Sequence, residues 1–183
     1  WAMRLKDPRL SQAAAEPSFG VRSLAGPREQ LLEAMFRSPP SEDAFLAVIH
    51  LHQNTAGGEE WVARAREQLI FSYLRNRERW SDARKQLDAL KSVGGAAGDL
   101  YAAKARAGEF VLAVYGRDFV GARQIYSSSL SQFERHGLVA SQGPPQDAVR
   151  GGWQRLIREA RGVLFAHESG ATPPQSQRPG LNR

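Results

Sequence analysis

The side chains able to do chemistry are few, and their spacing decides how much they could do. The imidazoles are His50, His52, His136 and His167. A helical metal pair places its ligands at i and i+4, on one face. His50 and His52 are two apart on a helical stretch, so they point to different faces and cannot share an ion. His136 and His167 read as last-turn residues of helices, where the dipole favours a cation. Structural roles are expected for all four. Glu42-Asp43 and Glu59-Glu60 open helices, which is reason enough for carboxylates there, and nothing marks either pair as an acid and a base. Ser127-Ser128-Ser129 lies on a helix without the elbow that exposes a nucleophile. Gly57-Gly58, Gly94-Gly95 and Gly151-Gly152 follow no strand and precede no lysine-serine or lysine-threonine pair, so they are turns or helix ends and not phosphate cradles. With no cysteine, disulfides, thiolate zinc sites and cysteine nucleophiles are excluded. A non-catalytic protein without a cofactor or metal is expected.

Charge narrows the partners. The 183 residues, 42% hydrophobic and 24% charged, suffice for one globular domain with a core. The net charge is +6, carried almost wholly by arginine, a bias that a GC-rich genome also produces. Arg75, Arg77, Arg79, Arg84 and Lys85 gather around one helix-helix turn, and Arg150, Arg155, Arg158 and Arg161 run along the last helix. Both sets suit an acidic partner, and a solvated face explains them as well. A nucleic-acid surface would set exposed aromatics between its cations, whereas Trp80 reads as core, so nucleic acid is not the expected partner. No apolar run approaches the ~20 residues of a spanning helix. The opening Trp-Ala-Met-Arg-Leu-Lys has the order of a membrane edge, so membrane contact through a segment upstream of Trp1 is one expectation. Cytoplasm and periplasm both stay open, as does the oligomeric state.

The elements that must position these groups are helices. Residues 1–25 read as an extended lead-in with one short helix around Leu10–Ala15. A helix starts at Gly26-Pro27 and carries the stripe Leu31, Leu32, Met35 and Phe36, and Ser38-Pro39-Pro40 stops it. Ser41 is placed to cap the next helix, with Ala44, Phe45, Val48, Ile49 and Leu51 inward. Further helices are expected over about 59–76, 80–93, 99–115 (with Asp99 as its cap) and 118–136. After the loop at Gly143, Pro144 and Pro145 a final helix follows over about 146–167. The domain therefore spans 26–168, and the tail 169–183, rich in proline and poor in apolar anchors, is expected to be disordered. Strand signals are nearly absent. The fold class is all-α, three antiparallel helical hairpins and a closing helix.

A repeat orders these hairpins. Ala44, Ala83 and Ala122 stand 39 residues apart, twice over. Ser41, Trp80 and Phe119 precede them by three residues, and Val48, Leu87 and Tyr126 follow by four. Leu32, Phe71 and Phe110 form another matched set, as do Met35, Leu74 and Ala113. Such self-similarity marks a repeat array. The stretches Arg79-Trp80-Ser81-Asp82-Ala83-Arg84-Lys85-Gln86-Leu87 and Asp118-Phe119-Val120-Gly121-Ala122-Arg123-Gln124-Ile125-Tyr126 resemble the second helix of tetratricopeptide (TPR) repeats, over roughly 27–136. Family repeats are about 34 residues long, and here Ser41 stands where the aromatic would be, so the likeness is to a degenerate array.

The resemblance implies a stacked TPR-like array with a C-terminal capping helix and a groove lined by the first helix of each pair. Carried across at the repeat spacing, the groove shows Glu29, Glu33 and Arg37, then Gln68, Ser72 and Asn76 with Arg75 beside it, then Ala107, Val111 and Tyr115. The partner-binding residues expected from it are Glu33, Arg37, Gln68, Ser72, Arg75, Val111 and Tyr115. The expected function is a protein-protein interaction scaffold, the soluble part of a larger bacterial protein, that holds a protein or peptide partner. The alternatives are a basic surface docking on nucleic acid or anionic membrane, and a structural or self-association domain.

Overall fold

A computed structural model describes residues 19–38, 41–139 and 148–170, and it is all-helical over them. Seven α-helices follow one another: α1 Pro27–Phe36, α2 Glu42–His52, α3 Glu59–Leu74, α4 Trp80–Lys91, α5 Gly98–Tyr115, α6 Phe119–Arg135 and α7 Ala148–Glu168. A 3₁₀ turn, Arg77–Arg79, leads into α4. The expected lead-in helix around Leu10–Ala15, the residues beside Trp1 and the tail from 171 onward lie outside the described residues.

Local chemistry accounts for the boundaries. Pro27 occupies the first turn of α1, where its missing N–H is no loss. The Asp118 carboxylate accepts the Gly121 N–H at 2.9 Å and caps α6. At the other end of α6, Gly137 takes φ 63°, while Leu138 N–H reaches the Phe133 carbonyl and Gly137 N–H the Glu134 carbonyl. That is a Schellman stop, and it uses glycine's tolerance of left-handed backbone. Two expected caps are corrected. Ser41 precedes α2 but its side chain makes no capping hydrogen bond, so the acidic first turn, Glu42 and Asp43, complements the dipole without it. α5 starts at Gly98, one residue earlier than expected, which leaves Asp99 inside the first turn. There its carboxylate accepts from Gln132, Arg135 and His136 at the end of α6.

Consecutive helices from α1 to α6 pack side by side, and the odd-numbered helices also touch one another in sequence. α7 packs chiefly on α5 and only lightly on α6. α3 and α5 are therefore hemmed in on several sides, which explains their nearly all-round burial: Ala63, Ala65, Leu69 and Ile70 on α3; Ala103, Ala107, Phe110 and Val111 on α5. The three alanines at 39-residue spacing, Ala44, Ala83 and Ala122, are each 0% exposed. A closer approach was not expected: a Cβ on Gly108 of α5 would sit 2.4 Å from a Leu87 methyl of α4. Glycine is what lets those two helices meet there.

Candidate functional site

α1 departs most from its expected packing. It buries Gln30, Leu31 and Ala34. Leu32, Met35 and Phe36, expected to face inward, are 40%, 47% and 82% exposed. At the Leu32 position the counterparts 39 and 78 residues on each meet another ring: half-buried Phe71 meets Trp153 of α7, with ring centroids 5.0 Å apart, and Phe110 meets Tyr126 of α6 at 5.1 Å. No described residue does the same for α1, so an apolar stripe at i, i+3 and i+4 is left on the surface.

Beside that stripe opens a cleft of about 310 Å³. Met35 of α1, Phe45 of α2 and Phe71 of α3 supply its apolar walls; Ser41 and Glu42 at the start of α2 form part of its polar edge, which Gln68 and Ser72 of α3 and Arg75 just past its end complete. The last three lie on consecutive turns of one helix face, spaced four and three residues apart, as the sequence predicts. Glu42 is also the centre of a polar knot. Arg79 donates a two-pronged pair of bonds to Glu42, at 2.7 and 3.0 Å, and a third to Asp82 at 2.7 Å, while the Tyr73 hydroxyl donates to Glu42 at 2.7 Å. The Arg79 bond holds the Glu42 carboxyl below its usual range, against the opposing effect of burial. Burial, together with the bond to Glu42, pushes the Tyr73 hydroxyl well up. The knot joins α2, α3 and α4 at the edge of the cleft and pairs Glu42 with Arg79.

The remaining expected binding residues fall elsewhere. Glu33 on α1 and Arg37 just past its end lie outside the cleft lining, the first exposed and the second half-buried. Val111 is 0% exposed and belongs to the core, so it offers no surface. Tyr115 is half-buried, and burial, reinforced by the negative charge of Glu159 on α7, pushes its hydroxyl up to about 12. The third segment of the expected groove is closed because α7 lies on α5.

α7 is anchored there by a group that sequence reasoning passed over. The Glu67 carboxylate on α3, 1% exposed, accepts from Trp153 Nε1 at 2.8 Å and pairs with Lys104 Nζ of α5 at 2.6 Å. Three helices meet on one carboxylate oxygen. The signal was present: Glu67 stands four residues after Ala63 and three before Ile70, on the buried stripe of α3.

The other candidate groups take structural positions. His50 and His52 do point apart: His50 is exposed against Phe19, and His52 is buried. Burial lowers the His52 ring's proton affinity against the opposing charge of Glu29, and its Nε2 finds no hydrogen-bond partner among the described residues. His136 meets Asp99 at 2.7 Å, and His167 stacks on Phe119 at 3.8 Å. Of the basic set near the cleft, Arg79 and Lys85 are paired with carboxylates, whereas Arg75, Arg77 and Arg84 make no ion pair among the described residues. Trp80 is half-buried, with Arg77 over its ring at 5.5 Å. Among the described residues no three His, Asp or Glu side chains are grouped to hold a metal, and no helix is long and apolar enough to cross a membrane. No family model, curated protein or solved structure matches the chain.

Proposed function

We propose that the protein is a non-catalytic interaction module that holds a partner protein or peptide in the cleft between α1 and α3. In this reading α1–α2, α3–α4 and α5–α6 are three hairpins of a degenerate TPR-like array, with α7 laid on the face of the first helices. The observation that carries the reading is the cleft itself. Met35, Phe45 and Phe71 offer an apolar floor to water, Leu32 and Phe36 extend it along α1, and Gln68, Ser72 and Arg75 rim it. Contiguous apolar surface beside polar groups marks interaction sites, because its exposure is unfavourable until something covers it.

The pairing of Arg79 with Glu42 and Asp82, and the half-burial of Trp80, argue for a protein partner over a polyanion. The test is affinity capture with the immobilised full chain, its Met35→Glu variant, and Arg64→Ala as a control on a solvated face. Partners held by the wild type and the control and released by Met35→Glu are expected. Equal retention on all three would remove the cleft from the interaction. Capture of nucleic acid that collapses steeply as salt rises would transfer the function to the basic surface.

A further inference from the structure

The chain contains its own example of what this face accepts. α7 lies along α5 with Trp153, Ile157, Ala160 and Leu164 buried, a stripe spaced by four, three and four residues, while Arg158 and Arg161 stay in solvent. Its first turns end on Phe71: the two rings meet at 5.0 Å, and a Cβ on Gly152 would lie 3.2 Å from the Phe71 ring. Phe71 is also a wall of the cleft. One side chain thus belongs both to the seat of a packed amphipathic helix and to the open surface that continues it toward α1.

The unpaired charge of the open part is one-sided. The lining holds two charged side chains: Glu42, which is already paired with Arg79 and bonded by Tyr73, and Arg75, which has no carboxylate partner among the described residues. An incoming chain that brought a cation there would face unbalanced repulsion, and one that brought a carboxylate would complete a pair.

We infer that the cleft takes an amphipathic α-helix of a partner protein, its apolar ridge seated on Met35 and Phe71 and a carboxylate of its polar edge at Arg75. The inference rests on the cleft being a partner site and adds the partner's chemistry. Helix-in-groove recognition reads apolar side chains at i, i+3, i+4 and i+7, which the stripe Leu32, Met35 and Phe36 complements with the same periodicity.

Two synthetic helical peptides test it, each carrying the apolar spacing of α7, one flanked by glutamates and the other by lysines. Fluorescence anisotropy with the full chain should give binding by the glutamate peptide about tenfold tighter than by its lysine twin. Arg75→Glu, at an exposed position, should reverse that order, and Met35→Glu should weaken both peptides, with circular dichroism unchanged in each variant. Absence of binding by either peptide, or a preference indifferent to Arg75→Glu, would overturn the inference. So would light scattering that showed a dimer dissolved by Met35→Glu, since the occupant would then be a second copy. If captured proteins are lost with Met35→Glu while both peptides fail, the helical partner falls and the partner site stands. If capture is also insensitive, both fall.

Discussion

On one side of Phe71 the odd-numbered helices carry α7; on the other, between α1 and α3, they carry nothing among the described residues. The covered half is dry and tied together. Trp153 and Phe110 are 0% exposed, and the one carboxylate buried among the described residues, Glu67, is matched by a lysine and an indole N–H. The open half has the same kind of side chains in the same register, Leu32 for Phe71 and Met35 for Leu74, yet they face water. Positions 39 residues apart in the sequence therefore differ in burial according to what lies on top of them. A stretch of helix is core where another described element covers it and stays exposed where none does.

The comparison can be broken most severely on the covered side. Trp153→Ala should cost about 3–5 kcal/mol, the transfer and cavity cost of a fully buried indole. Glu67→Leu should cost a similar ~3–5 kcal/mol, because it strands the Lys104 charge and the Trp153 N–H in the interior. Urea melts of the full chain measure both, and losses below about 1 kcal/mol would mean that α7 is not held as described. Next in size are the helix-helix contacts. Gly108→Ala, Ala83→Leu and Ala122→Leu should each cost about 1–3 kcal/mol by overpacking, while Arg64→Ala on an exposed face stays near neutral.

Acidity sharpens the contrast further. Burial depresses the His52 pKa below its ordinary 6.5, so as pH falls beneath 6.5 the unfolded chain takes up a proton that the native ring resists. Stability is full above that pH and declines below it, and His52→Leu should flatten the decline. The Glu42 contribution has its own window: its depressed carboxyl stabilises above the ordinary 4.5, and that is lost as pH falls further. Thermal melts between these two pH values isolate the histidine. The smallest effect belongs to the open side. Phe36→Ala, at 82% exposure, should change stability by no more than about 0.5 kcal/mol while weakening any partner that uses the stripe. A large loss of stability there would show that α1 is covered after all.

Much of the scaffold is legible in the residues in order. Pro27 and Asp118 mark helix starts and Gly137 a stop by local chemistry that needs no distant partner, and the boundaries fall within a few residues of those expected. The face made by Gln68, Ser72 and Arg75 is likewise a matter of helical period, and all three reach one cleft. Val111 and Tyr115 share that period but lie under or beside α7, a segment more than thirty residues away along the chain. Asp99 looked like a cap because capping is local, and it serves instead the far end of α6.

Periodicity and punctuation alone determined that the described residues are helical, roughly where their turns fall, and that Ala44, Ala83 and Ala122 are buried. They cannot state which of two chemically alike apolar stripes will be covered, because burial depends on the path of the whole backbone in space. Tertiary structure decided that α7 would settle on α5, that Glu67 would be matched inside the core, and that α1 would keep Met35 and Phe36 in water.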